Sequence, residues 1–521
     1  MIQITNPILS GFYPDPSICR VGEDFYLVNS SFSYFPGVPI WHSKNLANWK
    51  QIGNILDRHS QLPLEGCGHS QGIFAPTIRF HNGTYYMITT NVSGGGNFIV
   101  TATDPAGPWS EPYFLGEEAN GIDPSLFFDE DGSCYYVGTR PNPEGVRYNG
   151  DWEIWLQRVD LTTMKLVGES YYLWKGALKE VIWPEGPHLY RKGEYYYLMI
   201  AEGGTGPNHA VSVARSKNIC GPYVNNPNNP ILTHRHLGKD YPVIYVGHGD
   251  LVDDTYGNWY MVMLASRKCE GHCGLGRETF LAKVTWEEDW PIVNPGIGKL
   301  EDVVELPFEA EEMRQDKEQS FDHFNEQSYD VVMLRNADRN FFEVDNGVVR
   351  MQCLPLTMKD LGSPAYLGFR QRGYHYEAKL ELGIQSLEEN EETGLVILQS
   401  NEYHVLFRVK PSDSMDNELV VQVVKCLGGI DHILCETAYK KSEITDETRL
   451  TLVMNGHGQQ ADFTLMKEME QNTLLTNVPI HEMSIEVAGG FVGNTIGVYA
   501  SSCGKESENK VNIYQFTIKY K

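Results

Sequence analysis

Two aspartates and one glutamate stand at the same place in a repeated sequence pattern. Asp15 lies in the motif Tyr-Pro-Asp-Pro, Asp123 in Gly-Ile-Asp-Pro and Glu185 in Trp-Pro-Glu-Gly-Pro. Each precedes a short apolar run, a turn that contains Gly or Asp, and an aromatic run. His248, in Gly-His-Gly, and Phe74, in Phe-Ala-Pro, hold this place in two further copies of the pattern. We therefore expect the five side chains to occupy equivalent positions in the fold.

Three carboxyl groups at one pocket are suited to acid–base hydrolysis of a glycosidic bond. One must be protonated to donate to the leaving oxygen, and a second must be ionised to take a proton from water. A third carboxylate raises the pKa of the acid, because adjacent negative charges resist simultaneous ionisation. Taken singly, each residue has an ordinary structural explanation as a turn, loop or core residue. Their shared register favours a site. Phe32, Tyr34, Phe35 and Trp183 are candidates to stack on the apolar face of a sugar.

Five copies of a hairpin pattern within the first 300 residues would position these side chains. The copies begin at Pro16, Pro76, Pro124, Pro187 and Gly249, and strand-like runs follow each of them. Five four-stranded units at this spacing predict a β-propeller, whereas a β-sandwich would not explain the recurring pattern. The innermost strands of a propeller run side by side along the central channel. The five entry positions would therefore meet at one mouth of that channel.

The pattern changes after Pro295. Residues 301–319 are rich in Asp and Glu, which is typical of a connector, and Asn346-Gly347 signals a hairpin further on. Alternating apolar runs predict strands at 395–399, 405–409, 419–424, 450–454 and 511–516. The sequence thus predicts an all-β protein with a five-bladed propeller over residues 1–300, a connector over 301–319 and a β-sandwich over 320–521.

The net charge indicates which kinds of partner the protein can bind, and the cysteines indicate its cellular compartment. Lys and Arg number 42 and Asp and Glu 68, so the net charge is 42 − 68 = −26. This excess disfavours nucleic acid and membrane surfaces as partners and favours a neutral ligand. The N-terminus lacks the features of a signal peptide, no apolar run approaches 18 residues, and ten scattered cysteines form no CxxC pair. These features predict a cytoplasmic protein with reduced thiols.

Cys269, His272 and Cys273 form a local cluster of residue types that bind metals. A zinc site of the usual kind needs a second pair of ligands, and the neighbouring sequence offers no clear pair. We therefore interpret this cluster as a chance grouping in a loop.

Six segments carry a specific resemblance to a known family: residues 11–20, 34–46, 74–79, 183–190, 247–252 and 276–280. Together they resemble glycoside hydrolase family 43, most closely its β-xylosidases and α-L-arabinofuranosidases. The resemblance extends over essentially the whole chain and includes a C-terminal, concanavalin-like β-sandwich. It implies a five-bladed propeller and hydrolysis with inversion at the anomeric carbon.

The resemblance also implies roles for individual residues. Asp15 matches the general base that activates water, and Glu185 matches the general acid. Asp123 matches the residue that orients this acid and keeps its pKa high. Arg277 and Thr205 match positions that hold the sugar.

The resemblance also implies residues that line the pocket and a residue that helps hold a metal. Phe32 and Phe74 would wall the pocket of the terminal sugar, and many relatives carry Trp at the position of Phe74, which leaves the preference for xylose or arabinose open. Phe491 is the candidate for an aromatic that the sandwich contributes in some members, with a core strand position as the alternative. His248 matches a channel histidine that helps hold a hydrated calcium ion in related members. Calcium is therefore the expected cofactor.

The expected function is removal of terminal β-D-xylose from short, neutral xylo-oligosaccharides by an exo-acting enzyme. An α-L-arabinofuranosidase, or an enzyme with both activities, is the close alternative. A carbohydrate-binding protein without turnover is the alternative from another class. The set of Asp15, Asp123 and Glu185 argues against it, because binding alone needs no protonated acid beside a base. The sequence leaves open whether the protein forms a homo-oligomer.

Overall fold

Apolar and aromatic runs, separated by turns that contain Gly and Asp, form antiparallel strands throughout the protein. Among the described residues, α-helix is confined to α1 (Ile485–Ala488), and none of the helices there is long and apolar enough to span a membrane. The computed structural model describes residues 1–309, 317–322, 324–325, 327–335, 339–384, 387–413, 417–441, 448–467 and 470–521.

The first 300 residues contain five antiparallel sheets of four strands each. The strands are β1 (Ile2–Thr5), β2 (Ser17–Val21), β3 (Asp24–Val28), β4 (Tyr34–Phe35), β5 (Gly37–Ser43), β6 (Lys50–Leu56), β7 (Thr77–His81), β8 (Thr84–Asn91), β9 (Gly96–Ala102), β10 (Tyr113–Phe114), β11 (Ile122–Phe128), β12 (Cys134–Pro141), β13 (Trp152–Asp160), β14 (Lys165–Trp174), β15 (Glu185–Lys192), β16 (Tyr195–Glu202), β17 (Ala210–Ser216), β18 (Val224–Asn225), β19 (Val243–Asp253), β20 (Trp259–Arg267), β21 (Glu278–Glu287), β22 (Trp290–Val293) and, just beyond them, β23 (Val303–Leu306).

The five sheets are the blades of a β-propeller, as the repeated hairpins predict. The blades are β2-β3-β5-β6, β7-β8-β9-β10, β11-β12-β13-β14, β15-β16-β17-β18 and β19-β20-β21-β22. The first strand of each blade contacts the first strand of the next, and β19 contacts β2. The innermost strands therefore form a closed ring around one axis.

A separate two-stranded sheet joins the N-terminus of the propeller to the segment that follows the fifth blade. Strand β1 pairs with β23, with Ile2 opposite Leu306. The inward side chains of both strands pack with those of the first and fifth blades. Part of the predicted connector is thus a strand, and residues 310–316 of that connector lie outside the described residues.

The remaining strands form a β-sandwich of two sheets. Alternation of buried and less buried residues along β29, where Tyr376, Ala378 and Leu380 point inward, shows how these strands form one shared core. The strands are β24 (Glu318–Ser320), β25 (Val331–Leu334), β26 (Phe342–Asp345), β27 (Val348–Gln352), β28 (Ala365–Arg370), β29 (His375–Gly383), β30 (Glu392–Leu398), β31 (Tyr403–Pro411), β32 (Glu418–Leu427), β33 (Ile430–Lys440), β34 (Arg449–His457), β35 (Gln460–Lys467), β36 (Glu470–Pro479), β37 (Thr495–Ser501) and β38 (Lys510–Tyr520).

The order of the strands confirms the predicted sandwich and its hairpin. One sheet has the order β26-β27-β38-β29-β34-β35-β36, with β24 also paired to β38, and the other has the order β33-β32-β31-β30-β37-β28-β25-β4. Asn346 and Gly347, with φ of 51° and 80°, form the turn between β26 and β27. Both central residues have positive φ, as in the type I′ turn that Asn-Gly favours.

The propeller and the sandwich share a sheet and an apolar cluster. Strand β4 of the propeller pairs with β25, with Tyr34 opposite Leu334. Phe12 and Phe32 of the propeller pack with side chains of the sandwich, among them Val492. The loop after α1, which carries Val492, is thereby held beside the segment that leads into the first blade.

Candidate active site

The same local backbone conformation occurs at three entries to the channel. Asp15, Asp123 and His248 have φ of 50°, 52° and 49°. The register of β11 with β12 shifts just after Ile122, and that of β19 with β20 shifts around His248. Such a bulge turns a side chain out of the regular ladder. The inner strands thus present these residues in equivalent positions.

Glu185 and His248 are brought together by a glycine. The register of β15 with β16 shifts just after Glu185. Gly186 has φ of 55°, and a Cβ atom at this position would lie 2.7 Å from Cε1 of the His248 ring. Only glycine therefore allows the start of β15 to pack this closely against the His248 ring.

Asp15 is held by a buried arginine and a serine. Nη1 of Arg277 donates to Oδ1 of Asp15 at 2.8 Å, and Oγ of Ser30 donates to Oδ2 at 2.5 Å. The side chains of Asp15 and Arg277 are 6% and 7% exposed, so this ion pair is shielded from solvent. Arg277 also donates to Oγ1 of Thr205 at 3.3 Å and to the backbone carbonyl of Phe491 at 3.4 Å. A single guanidinium therefore links Asp15 to the sandwich.

The three carboxyl groups have different proton affinities. Burial alone would raise the pKa of Asp15, but the positive charge of Arg277 and the hydrogen bond from Ser30 bring it below its ordinary value. Burial raises the pKa of Asp123 to about 6, and the negative charge of Asp15 contributes. Burial and the charges of Asp123 and Asp15 raise the pKa of Glu185 well above its ordinary value. At neutral pH the site can thus hold an ionised Asp15 beside a protonated Glu185.

A polar network closes the channel beyond the carboxyl groups. Asp250, on β19, accepts hydrogen bonds from Ser17 on β2, from Tyr190 on β15 and from Arg79 on β7, at 2.7, 2.5 and 2.9 Å. Arg79 also bonds Nδ1 of His188 at 3.0 Å. These residues lie further along the same inner strands than the carboxyl groups. Their hydrogen bonds join four of the five inner strands at this level of the channel.

Three phenylalanines wall the pocket. The ring centroid of Phe32 lies 5.3 Å from that of Phe74 and 6.1 Å from that of Phe491, and Phe74 and Phe491 are 6.0 Å apart. The guanidinium carbon of Arg277 lies 5.7 Å from the Phe32 ring. The backbone N–H of Phe491 donates to Oγ of Ser70 in the propeller at 2.8 Å. The sandwich therefore supplies one wall of a pocket whose other walls belong to the propeller.

Two models of protein families match the chain. A family model for glycosyl hydrolases family 43 matches residues 4–291, which is more than half of the chain. The chain belongs to glycosyl hydrolases family 43. A second model, for the beta xylosidase C-terminal concanavalin A-like domain, matches residues 321–519. The protein is thus a glycosidase of this family, with the two-domain architecture predicted from the sequence.

Individual family 43 proteins resemble the chain over its full length. A xylosidase/arabinosidase from Butyrivibrio fibrisolvens is 54% identical, with 99% of each chain covered. A non-reducing end alpha-L-arabinofuranosidase from Bacteroides ovatus is 35% identical, over 98% of this chain and 94% of that protein. The crystal structure of a xylan beta-1,4-xylosidase from Bacillus halodurans C-125 has a TM-score of 0.91 and 32% identity, over 99% of this chain and 100% of that one.

The structure brings together most of the residues that the sequence singled out, but not all of the aromatic ones. Asp15, Asp123, Glu185, His248, Arg277, Thr205, Phe32, Phe74 and Phe491 surround one pocket. Tyr34 and Phe35 do not. Tyr34 is fully buried, with its hydroxyl 3.1 Å from Nε2 of His69, and Phe35 packs in the sandwich core. Their pairing with β25 removes both from contact with a sugar. Trp183 is partly exposed and packs on Trp152.

Two residues near Asp15 were not found from the sequence. Ser30 bonds Asp15 directly, and the only signal for it is an unusual buried polar run directly after β3. The His209 ring lies against Gly247, where a Cβ atom would be 2.3 Å from it, and burial lowers its pKa to about 4. Its Nδ1 atom lies 2.9 Å from the carbonyl oxygen of Tyr245. No motif marks His209, because it precedes a middle strand of the fourth blade.

Cys269, His272 and Cys273 do not form a metal site among the described residues. Cys269 and His272 face each other across a tight backbone turn, with hydrogen bonds of 2.9 and 3.0 Å. Cys273 is fully buried, and its backbone N–H bonds Glu486 at 2.8 Å. The three side chains are not grouped with ligand atoms close enough to share an ion.

Proposed function

We propose that the protein removes terminal β-D-xylose from short xylo-oligosaccharides, with inversion at the anomeric carbon. The observation that carries this proposal is the difference in proton affinity between Asp15 and Glu185 in one closed pocket. The names of the relatives support pentose substrates, since xylosidases and arabinosidases recur among them.

Each carboxyl group has its own part in this reaction. Asp15, kept ionised by Arg277, takes a proton from a water molecule that attacks the anomeric carbon. Glu185, kept protonated by burial and by Asp123, donates its proton to the leaving glycosidic oxygen. Asp123 raises the pKa of Glu185 through its negative charge and stays in place in the wall of the pocket. Because Glu185 holds its proton more tightly than Asp15 does, Glu185 acts as the acid and Asp15 as the base.

The shape of the pocket supports an exo mode of action. The network around Asp250 closes the channel, so a chain cannot pass through it. Phe74 and Phe491 leave apolar faces for one sugar ring, with the buried Phe32 packed behind them, and Arg277 and Thr205 provide polar contacts. A pocket of this kind accepts the end of a chain.

Replacing Phe491 by Ala is expected to raise KM for an aryl β-D-xyloside about tenfold, because an aromatic contact contributes roughly 0.5–1.5 kcal/mol beyond its buried area. Phe491 is 36% exposed, so its loss should leave the thermal midpoint close to that of the parent protein. Steady-state kinetics and thermal unfolding measure the two effects. Val487→Ala, at an exposed position of α1, is the control. An unchanged KM would show that Phe491 does not contact the sugar.

The close alternative is release of terminal α-L-arabinofuranose, alone or beside xylose. The relative from Butyrivibrio fibrisolvens is named for both activities, and that from Bacteroides ovatus for the second. The family resemblance leaves this preference open at Phe74, whose ring centroid lies 5.3 Å from that of Phe32. A carbohydrate-binding protein without turnover is disfavoured, because binding requires no difference in proton affinity between Asp15 and Glu185.

Initial rates on aryl β-D-xyloside and aryl α-L-arabinofuranoside test the proposal. We expect the xyloside to be cleaved at the higher kcat/KM and the first product to be α-xylose, which time-resolved NMR of the anomeric proton detects. Cleavage of the arabinofuranoside alone would establish the alternative. Absence of turnover on both, with xylo-oligosaccharide still bound, would refute a hydrolytic function.

Asp123→Asn is expected to shift the alkaline limb of the kcat/KM profile to lower pH. Removing a negative charge beside Glu185 lowers its pKa, so the acid loses its proton at a lower pH. The measurement is kcat/KM on the aryl xyloside across the pH range. Asp131→Asn, in an exposed turn between β11 and β12, should leave the profile in place. An alkaline limb that stays fixed or moves upward in Asp123→Asn would contradict the assigned coupling.

A hydrated calcium ion beside His248 is part of the proposal. Nε2 of the buried His188 has no hydrogen-bond partner among the described residues. Arg79 donates to Nδ1 of this ring and burial lowers its pKa to about 3, so the neutral ring carries its proton on Nε2, which can donate to a water molecule. His188 and His248 lie on the neighbouring inner strands β15 and β19. Calcium prefers oxygen ligands, so two imidazoles suit an ion that keeps its waters. When bound, the ion would supply positive charge to the pocket.

Removal of calcium by a chelator is expected to lower kcat/KM about tenfold, the scale of effect that supporting contacts of a metal site have. Returning calcium should restore the rate. Steady-state kinetics on the aryl xyloside, with the chelator removed before calcium is returned, measures both steps. Activity that responds to neither step would leave His248 as a hydrogen-bonding residue only.

The expected location and assembly also belong to the proposal. All ten cysteines are free thiols, which supports a reducing compartment such as the cytoplasm. There the enzyme would trim short oligosaccharides taken up by the cell. The proposed function applies to a monomer and to a homo-oligomer alike, because one chain forms the pocket.

A further inference from the structure

Three side chains that bind metals meet on the sandwich, outside the active site. His404, Cys426 and Asp431 lie on the neighbouring strands β31, β32 and β33. His404 is directly opposite Cys426, and Cys426 is directly opposite Asp431, so the three side chains share one face of the sheet. Their ligand atoms lie within 4.8 Å of one another. His404 and Cys426 are buried and Asp431 is exposed, which gives the cluster one open side.

The His404 ring is prepared to act as a ligand. Its Nδ1 atom lies 3.2 Å from the carbonyl oxygen of Ser400. A ring nitrogen beside a carbonyl carries the proton, so Nε2 keeps its lone pair. Histidines that bind metals usually make such a second contact with a carbonyl or carboxylate. Burial also lowers the pKa of His404 to about 4, so the ring is neutral at neutral pH.

The Asp431 carboxylate contacts two groups, the Lys359 ammonium and the Cys426 thiol proton, that a metal ion would replace. Its Oδ2 atom lies 3.0 Å from Nζ of Lys359, which is exposed. The same carboxylate also bonds the Cys426 thiol, which holds its proton because burial raises its pKa to about 11. The other nearby cation, Arg408, is paired with Glu392 at 2.8 Å. The thiol proton and the Lys359 ammonium together carry the positive charge that a divalent ion would bring.

We propose that His404, Cys426 and Asp431 bind a zinc ion. A thiolate, an imidazole and a carboxylate are ligands that zinc accepts, at about 2.0–2.3 Å, whereas calcium and magnesium prefer oxygen alone. On binding, Cys426 loses its proton to solvent and the Lys359 ammonium leaves Asp431. Two anionic ligands then balance the two charges of the ion. A water molecule takes the fourth position on the open side.

The experiment uses the full chain. A chelator first removes bound metal, and calcium is then present in all later steps. Zinc is added, the protein is desalted, and bound metal is measured by mass spectrometry. We expect about one zinc per chain and release of about one proton per zinc, since only the thiol is protonated beforehand. Cobalt in place of zinc should give a thiolate-to-metal charge-transfer band in the near ultraviolet.

Variants separate this cluster from other cysteines. Cys426→Ser should lose the zinc and the cobalt band, while Cys269→Ser, in the other cysteine–histidine cluster, should keep both. Lys359→Met leaves all three ligands in place and removes the competing ammonium, so it should bind zinc about tenfold more tightly. Circular dichroism and the rate on an aryl xyloside establish that each variant is folded.

The outcomes decide the proposal in either direction. No zinc retained by the parent protein, zinc retained by Cys426→Ser, or zinc lost from Cys269→Ser would each overturn it. Weaker zinc binding by Lys359→Met would overturn it too, because the ammonium would then assist binding. Loss in Cys426→Ser with tighter binding in Lys359→Met supports the site, since a merely structural thiol would produce neither.

Discussion

Glu185→Ala is expected to lower kcat/KM on xylobiose about 10³-fold, the scale of general acid catalysis, and to affect a nitrophenyl xyloside far less. A sugar leaves as a poorly stabilised alkoxide unless it receives a proton, whereas nitrophenolate leaves without one. Burial and the negative charges of Asp123 and Asp15 hold the pKa of Glu185 high, so in the proposed reaction it has a proton to donate. The measurement is the ratio of kcat/KM on the two substrates for the variant and the parent.

The control for this prediction is Glu180→Ala, an exposed glutamate on the loop that leads to Glu185. It should change neither substrate's rate by more than a small factor. Equal losses on xylobiose and the nitrophenyl xyloside in Glu185→Ala would mean that Glu185 does not act as the acid. The chemistry would then need another proton donor in the pocket.

The repeated hairpin made the propeller and its carboxyl groups predictable. The same turn and aromatic pair return at each blade, so residues before each first strand could be aligned without knowledge of contacts. The structure adds the physical reason, because Asp15, Asp123 and His248 share a left-handed conformation that regular strands lack. A strained backbone repeated at three equivalent positions indicates a functional constraint.

Contacts between the two domains could not be predicted in this way. Tyr34 and Phe35 follow an exposed-looking turn in sequence, yet β4 is the edge strand of a sandwich sheet formed by residues some 300 positions later. Phe491 was predicted from the family resemblance, with a core strand position as the alternative. Its place depends on Ser70 and Arg277, which are remote in the chain. Long-range pairing of this kind leaves no local signal.

The coupling of the domains has a consequence for the reaction. Arg277 bonds both Asp15 and the carbonyl of Phe491, so the group that lowers the pKa of Asp15 is also bound to the sandwich. The sandwich therefore acts on the pocket electrostatically as well as by shape.

Asp15→Asn is expected to lower kcat on xylobiose and on the nitrophenyl xyloside alike, by about 10⁴-fold. Both substrates need an activated water molecule whatever their leaving group, so the ratio between them should stay near that of the parent. An amide of the same shape still accepts from Arg277 through its oxygen, and its NH₂ group can donate to Oγ of Ser30, which keeps the pocket intact. Binding of xylose, measured by calorimetry, should therefore persist.

Asp15→Ala separates this chemical effect from a structural one. Both variants leave the Arg277 guanidinium buried without its counter-charge, and loss of one partner of a buried ion pair costs about 3–5 kcal/mol. Only Asp15→Ala also removes the oxygen that accepts from Arg277. The thermal midpoint should fall further than in Asp15→Asn, while turnover is lost in both. Turnover that survives in Asp15→Asn, or that depends there on the leaving group, would assign the base to another residue. A midpoint equally low in both variants would mean that the charge of Asp15, and not its shape, holds Arg277 in the pocket.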